Sequence, residues 1–108
     1  MRVLLDHCVD FHFAKLIIGH DVSHTKTLGW HQLSNGKLLT AAEDAGFQVM
    51  VTVDKNVRFQ QNIYKGQISL ITLNPRLVDL DYIAPMVGQL LKTLEEGFPP
   101  GSEIVIDP

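Results

Sequence analysis

Short apolar runs alternate with longer stretches of mixed polarity along the chain. Five such runs, most of them rich in Val, Ile and Leu, predict β-strands at residues 2–5, 21–24, 48–53, 67–73 and 101–107. The run at 48–53 is apolar almost throughout, which is typical of a strand buried on both faces. We expect the last run to lie at an edge of the sheet.

The stretches between these runs carry apolar residues at helical spacing or residues that begin and end helices. They predict helices at 9–18, 35–45 and 79–96, and a short helix or turn at 56–62. Pro85 falls inside the last helix, which therefore either begins near the proline or kinks there. Strands that alternate with helices imply right-handed crossovers and a mainly parallel sheet covered on both faces, so the predicted class is α/β.

Composition narrows the class of protein. A chain of 108 residues predicts a single domain, and a hydrophobic content of 45% with a mean hydropathy of +0.10 predicts a compact one. The formal charge of −3 argues against wholesale wrapping of nucleic acid but leaves a local basic patch open. Cys8 has no second cysteine to pair with, which fits a reducing cytoplasm. No apolar stretch approaches the length of a membrane span, so we expect no membrane association.

Two of the predicted strands are followed by an aspartate. Asp6 comes directly after the first run, and Asp54 comes where the third run stops. Ligands of open α/β sheets bind at the carboxyl ends of strands, where two carboxylates can hold Mg²⁺ or Mn²⁺. The alternative is that both aspartates only cap the helices that follow. A metal would need a further oxygen ligand, for which the candidates are Asp10, Asn35, Glu43 and Asn56.

The basic residues after the third run and Trp30 each allow two interpretations. Lys55, Arg58 and Lys65 follow the third run and either bind phosphate or form a solvated face. Trp30 either stacks on a base or packs its loop on the core. The histidines include no HExxH spacing, and the one HxxxH pair, His20 and His24, falls at a predicted strand and not on a helix. We therefore interpret the histidines as surface or loop residues. Cys8 is interpreted as a small buried hydrophobe.

Three motifs together resemble a known family. They read DVxHxxxLGW at 21–30, NGxLLxxAE at 35–43 and VTVDKNxxxQQN at 51–62. In this combination they resemble the small PIN-like proteins of the DUF5615 family, over about residues 1–73. The resemblance implies a single PIN-like domain over 1–108, folded as an α/β/α sandwich. It also implies an endoribonuclease that uses Mg²⁺ or Mn²⁺, as the toxins of bacterial toxin–antitoxin pairs do.

The resemblance also implies roles for particular residues. Asp6 and Asp54 would be catalytic metal ligands, with Glu43 as a further catalytic acid. Asn35 and Asn56 would be secondary metal ligands, although relatives often carry aspartate there. Lys55 and Arg58 would hold the RNA backbone. The expected partners are RNA, an antitoxin protein and a second copy of the chain.

Two other functions compete with the metal-dependent nuclease. Asn35 and Asn56 stand where relatives often carry aspartate. An amide keeps an oxygen ligand but lacks the negative charge, so the metal should bind more weakly. One alternative is therefore a PIN-like module that only binds a partner protein. A phosphoacceptor domain would also place an aspartate after its third strand. Such a domain normally has paired acids after the first strand and a lysine after the last strand. In this chain Asp6 is followed by His7, and the last strand ends at Asp107.

Overall fold

The computed structural model describes residues 1–58 and 66–108, which share one five-stranded parallel sheet. Its order is β2-β1-β3-β4-β5, and every neighbouring pair is parallel. The α/β prediction is therefore confirmed, and β5 is an edge strand as expected. The strands are β1 Arg2–Leu5, β2 Asp21–His24, β3 Val49–Thr52, β4 Ser69–Leu73 and β5 Glu103–Ile106.

The connections contain three α-helices and two 3₁₀ segments among the described residues. These are a 3₁₀ helix at Phe11–Leu16, α1 at Asn35–Asp44, α2 at Leu80–Ile83, a 3₁₀ turn at Ala84–Met86 and α3 at Val87–Glu96. The helix predicted at 56–62 lies mostly outside the described residues, and so does Lys65. No helix of the described ranges is long and apolar enough to cross a bilayer.

Two predicted helices differ from the sequence pattern in their geometry. Residues 11–16 wind as a 3₁₀ helix, with the amide of Phe13 bonded to the carbonyl of Asp10 three residues earlier. The helix predicted at 79–96 is interrupted where Pro85 lacks an amide hydrogen to continue the α-helical ladder. Instead of one continuous helix there are two α-helical pieces, Leu80–Ile83 and Val87–Glu96, joined by the 3₁₀ turn that contains Pro85.

Both faces of the sheet are covered, which gives three layers. Side chains of successive strand residues point to opposite faces, so Val3 and Leu5 pack on one side and Leu4 on the other. The first side holds the 3₁₀ helix with α2 and α3, through Phe13, Ile83, Leu90 and others. The second side holds α1, together with Val57.

The last crossover differs in hand from the first two. The chain moves from β1 to β2 over the 3₁₀ face, then in the opposite direction from β2 to β3 over the α1 face. From β4 to β5 the chain moves across the sheet in the same direction as from β2 to β3. It passes, however, over the 3₁₀ face and not over the α1 face. Because the connections differ in hand, the expectation of uniformly right-handed crossovers was wrong. Burial of Ile83, Leu90 and Leu94 against Val3 and Ile71 holds α2 and α3 on that face.

Candidate functional site

The order of the strands places Asp6 and Asp54 on the two sides of a topological switch point. The chain leaves β1 toward the 3₁₀ face and leaves the adjacent β3 toward the α1 face. Connections that diverge in this way open a crevice beyond the carboxyl ends of the two strands, which is where open α/β sheets bind ligands. Asp6 follows β1 directly and Asp54 follows β3 by two residues, so both lie at this edge.

The carboxylate of Asp6 is buried and fully engaged. Its residue is only 1% exposed, and its Oδ1 accepts from the His7 amide at 2.8 Å and lies 3.0 Å from His7 Nδ1. Its Oδ2 accepts from Thr52 Oγ1 at 2.8 Å and from Cys8 Sγ at 3.5 Å. A buried carboxylate is costly unless such donors surround it, and together they hold Asp6 in one orientation.

Thr52 joins the two aspartates. Its hydroxyl donates to Asp6 Oδ2 and accepts from the backbone amide of Asp54 at 3.0 Å. Thr52 is itself completely buried at the end of β3. A single hydroxyl therefore fixes the position of Asp54 relative to Asp6. Sequence reasoning missed Thr52, although its place in the run VTVD, two residues before the aspartate, was the available signal.

The side chain of Asp54 organises the turn that follows it. Asp54 Oδ1 accepts from the amide of Asn56 at 2.9 Å, and the Asp54 carbonyl accepts from the amide of Val57 at 3.3 Å. This is the capping role that the alternative interpretation gave it. The side chain of Asn56 is exposed, and its contact with Asp54 is made by its backbone.

Glu43 does not belong to this site. It lies in the last turn of α1, and its carboxylate accepts from the amide of Gln67 and from that of Ile68 at 3.1 Å. Those amides precede β4, so Glu43 lies at the amino edge of the sheet, whereas Asp6 lies at the carboxyl edge. A strand of four residues separates the two edges by about 13 Å. The prediction that Glu43 supplies a catalytic acid beside Asp6 was wrong.

None of the remaining predicted residues is hydrogen-bonded to Asp6 in the part of the chain that the structure describes. Asn35 begins α1 and is half-buried, but no hydrogen bond of the described residues links it to Asp6 or Asp54. Arg58 pairs with Glu103 at 2.7 Å, at the start of β5 and hence toward the amino edge. Lys55 is exposed next to Asp54. The role of Lys55 in binding RNA stays a prediction. Arg58 could bind RNA only if its side chain left Glu103.

No family model, curated protein or solved structure matches this chain. The resemblance to PIN-like proteins therefore stays a prediction from the three motifs.

The arrangement of Asp6 does not fit a resident Mg²⁺ or Mn²⁺ ion. A carboxylate offers about four lone-pair positions, and four donors already point at those of Asp6. In the described part of the chain, no three His, Cys, Asp or Glu side chains are grouped so as to hold a metal. Coordination by Asp6 would first require the His7 ring or the Cys8 thiol to leave it.

Cys8 acts as a donor at this site. Burial raises the pKa of its thiol above the usual range, and the negative charge of Asp6 raises it further. The thiol therefore stays protonated and can donate to Asp6 Oδ2. A nucleophilic cysteine needs the opposite environment, one that lowers its pKa.

Proposed function

We propose that the protein is a cytoplasmic endoribonuclease of PIN type that cuts single-stranded RNA at the carboxyl edge of the sheet, and that it is the toxin of a toxin–antitoxin pair. The observation that carries the proposal is the buried Asp6 carboxylate, held beside the switch point by Thr52 and His7. The burial of a charged group costs free energy, and buried ionisable groups in crevices are concentrated at functional sites. RNA is proposed as the substrate, and an antitoxin as the partner, because the three sequence motifs resemble those of PIN-like proteins.

The dependence on Mg²⁺ or Mn²⁺ stays a prediction from the resemblance. Asp6 and Asp54 are the residues that would hold the ion, and the ion would offset charge on the phosphodiester. Because every acceptor position of Asp6 is taken, no step of the proposed cleavage is assigned to a metal.

A PIN-like module that only binds a partner protein is the second candidate. The separation of Glu43 and Arg58 from Asp6 favours it, because it leaves fewer charged groups at the crevice than a nuclease of this type is expected to have. The two functions differ in whether the purified protein cuts RNA.

The test is an assay with end-labelled single-stranded RNA, run in parallel with Mn²⁺ and with EDTA. We expect internal cleavage under at least one condition, and the Asp6→Asn protein purified in the same way controls for contaminating ribonuclease. Intact RNA under every condition, together with a stable complex with a co-expressed protein, would replace the nuclease by the binding module.

We also propose that the chain forms a homodimer through the segment before α3. The apolar residues of α3 itself turn to the core, so α3 does not supply an exposed apolar face for this contact. Instead Leu77, Val78 and Tyr82 are 53%, 56% and 43% exposed. Clustered exposed apolar residues are typical of interfaces.

Light scattering is expected to give twice the mass of the 12.1 kDa chain, and Tyr82→Ser with Val78→Ser is expected to give a monomer. Val105 is 42% exposed but lies on the edge strand β5, so Val105→Ser is the matched control. A monomeric wild-type protein at high concentration would contradict the proposal.

A further inference from the structure

The two outer strands of the sheet differ in what they leave exposed. β2 and β5 are the edges, and an edge strand presents backbone amides and carbonyls that no neighbouring strand pairs. β5 carries a large exposed apolar side chain, Val105, whereas no residue of β2 does. β5 also contains neither of the residues, lysine and proline, that often block pairing at an edge. Of the two edges, β5 is the better template for another strand.

The pairing of β5 with β4 shows which backbone groups of β5 remain outward. The carbonyl of Ser102 accepts from the Leu70 amide at 2.8 Å. The carbonyl of Ile106 accepts from the Asn74 amide at 2.9 Å. Successive residues of a strand direct these groups to opposite sides, so the amide and carbonyl of Val105 point away from β4. In the part of the chain that the structure describes, no other strand lies on that side.

On the α1 face, β5 offers an apolar neighbour to the side chains of an added strand. Ile104 and Ile106 pack in the core on the 3₁₀ face, so the side chain of Val105 lies on the α1 face, where it is exposed. The charge of Glu103, on the same face, is balanced by Arg58 at 2.7 Å. An apolar side chain of an added strand would therefore pack beside Val105.

On the 3₁₀ face, a groove of about 500 Å³ opens next to the carboxyl end of β5. It combines an apolar floor with a charged rim. The floor is formed by Tyr82, Pro85 and Met86, and the charged residues of the rim are Arg76, Asp81 and Asp107. Asp107 directly follows β5, so a strand added along β5 would reach the groove with one of its ends.

The charges of the groove favour a cationic side chain. Its two carboxylates outnumber its one cation, Arg76. Asp107 Oδ1 accepts from the side-chain amide of Asn74 at 2.8 Å, and Asp81 has no ion-pair partner among the described residues. A lysine or arginine side chain fits both parts of the groove, because its stem covers apolar surface while its charged head reaches a carboxylate.

We propose that β5 is the docking site of the antitoxin, which adds an extended segment to the sheet as a further strand. The identity of the partner rests on the proposed function, whereas the surface does not depend on nuclease activity. Apolar residues of the segment lie beside Val105, and the basic residues that alternate with them face the groove. Bonds to the Val105 backbone hold the segment, and its alternating side chains give specificity. The docking site adjoins the proposed dimer patch at Tyr82, so the test leaves Tyr82 unchanged.

The test selects peptides from a random library, displayed on phage, on the purified full chain. We expect the selected sequences to alternate apolar and basic residues. Val105→Pro removes the outward amide and is expected to weaken binding of a labelled selected peptide about tenfold or more. Proline is tolerated on an edge strand where its nitrogen faces solvent, so the melting temperature should change little. Val22→Pro makes the same change on β2, where the Val22 amide also points outward, and should bind as wild type does.

Two further measurements keep the test decisive if Val105→Pro fails to fold. N-methylation of alternate amides of the selected peptide blocks the bonds along one of its two edges. One alternate set should abolish binding and the other should leave it unchanged. Asp81→Asn removes a carboxylate of the groove and is expected to weaken binding about two- to fivefold.

Three results would overturn the docking site. They are selection of no peptide, equal binding to the wild-type and Val105→Pro proteins, and equal effects of the two N-methylated sets. Conversion of a dimer to a monomer by Val105→Pro would also overturn it, because β5 would then pair with a second copy. RNA cleavage is not a readout here, so a bound peptide together with uncut RNA would refute the nuclease alone.

Discussion

Replacement of Asp6 by asparagine is expected to lower kcat for RNA cleavage by about 10²–10⁴-fold while KM changes by less than about threefold. The two oxygens of Asp6 accept from different sides, His7 on one and Thr52 with Cys8 on the other. An amide can present an acceptor to only one side, and its NH₂ group opposes the donors of the other. His7 then loses the carboxylate that holds its ring in place, or Thr52 loses the acceptor for its hydroxyl.

The split between kcat and KM distinguishes positioning from general damage. Asp6 is not expected to touch the RNA, because it is 1% exposed beneath His7 and Cys8. Binding of uncut RNA should therefore survive the substitution. Asp44→Asn, an exposed carboxylate at the end of α1, is the control and should behave as wild type. An Asp6→Asn protein with normal kcat would remove Asp6 from the mechanism.

Thr52→Val is expected to lower the free energy of unfolding by about 2–4 kcal/mol. Valine keeps the shape of threonine but removes the hydroxyl that donates to Asp6 and accepts from the Asp54 amide. A buried carboxylate then loses a donor and a backbone amide loses its acceptor, and each such loss costs about 1–3 kcal/mol. Chemical denaturation measures the change directly.

The neighbouring strand supplies a matched control for this substitution. Thr72 on β4 lies opposite Thr52 in the sheet and is equally buried, but its hydroxyl has no hydrogen-bond partner among the described residues. Thr72→Val therefore removes an unsatisfied polar atom and should leave stability unchanged or raise it. Equal losses for the two variants would contradict the role assigned to the Thr52 hydroxyl.

The strand pattern and the two strand-end aspartates could be predicted because both follow from local sequence. A short apolar run that stops at an aspartate predicts a buried strand with a carboxylate at its carboxyl end, and Asp6 and Asp54 lie there. The position of Glu43 was also within reach of sequence reasoning. A helix that connects two parallel strands ends at the amino edge, so a residue in its last turn lies far from both aspartates.

Other features depend on contacts that sequence periodicity does not encode. The bond between His7 and Asp6 joins adjacent residues, and whether it forms depends on the turn after β1. The face chosen by α2 and α3 is decided by the packing of Ile83, Leu90 and Leu94, not by the order of elements. A cleft of about 360 Å³, lined in part by His7, His12 and Lys26, likewise forms only once the 3₁₀ helix is placed.

A crystal structure of the protein grown with Mn²⁺ tests most directly whether Asp6 orients His7 or binds a metal. Anomalous scattering would locate the ion without reference to any assumed site. Our account predicts that the His7 ring remains about 3.0 Å from Asp6, as it is here, with no manganese peak between Asp6 and Asp54. A peak coordinated by both carboxylates, with the His7 ring turned away, would contradict it and restore the metal-dependent mechanism.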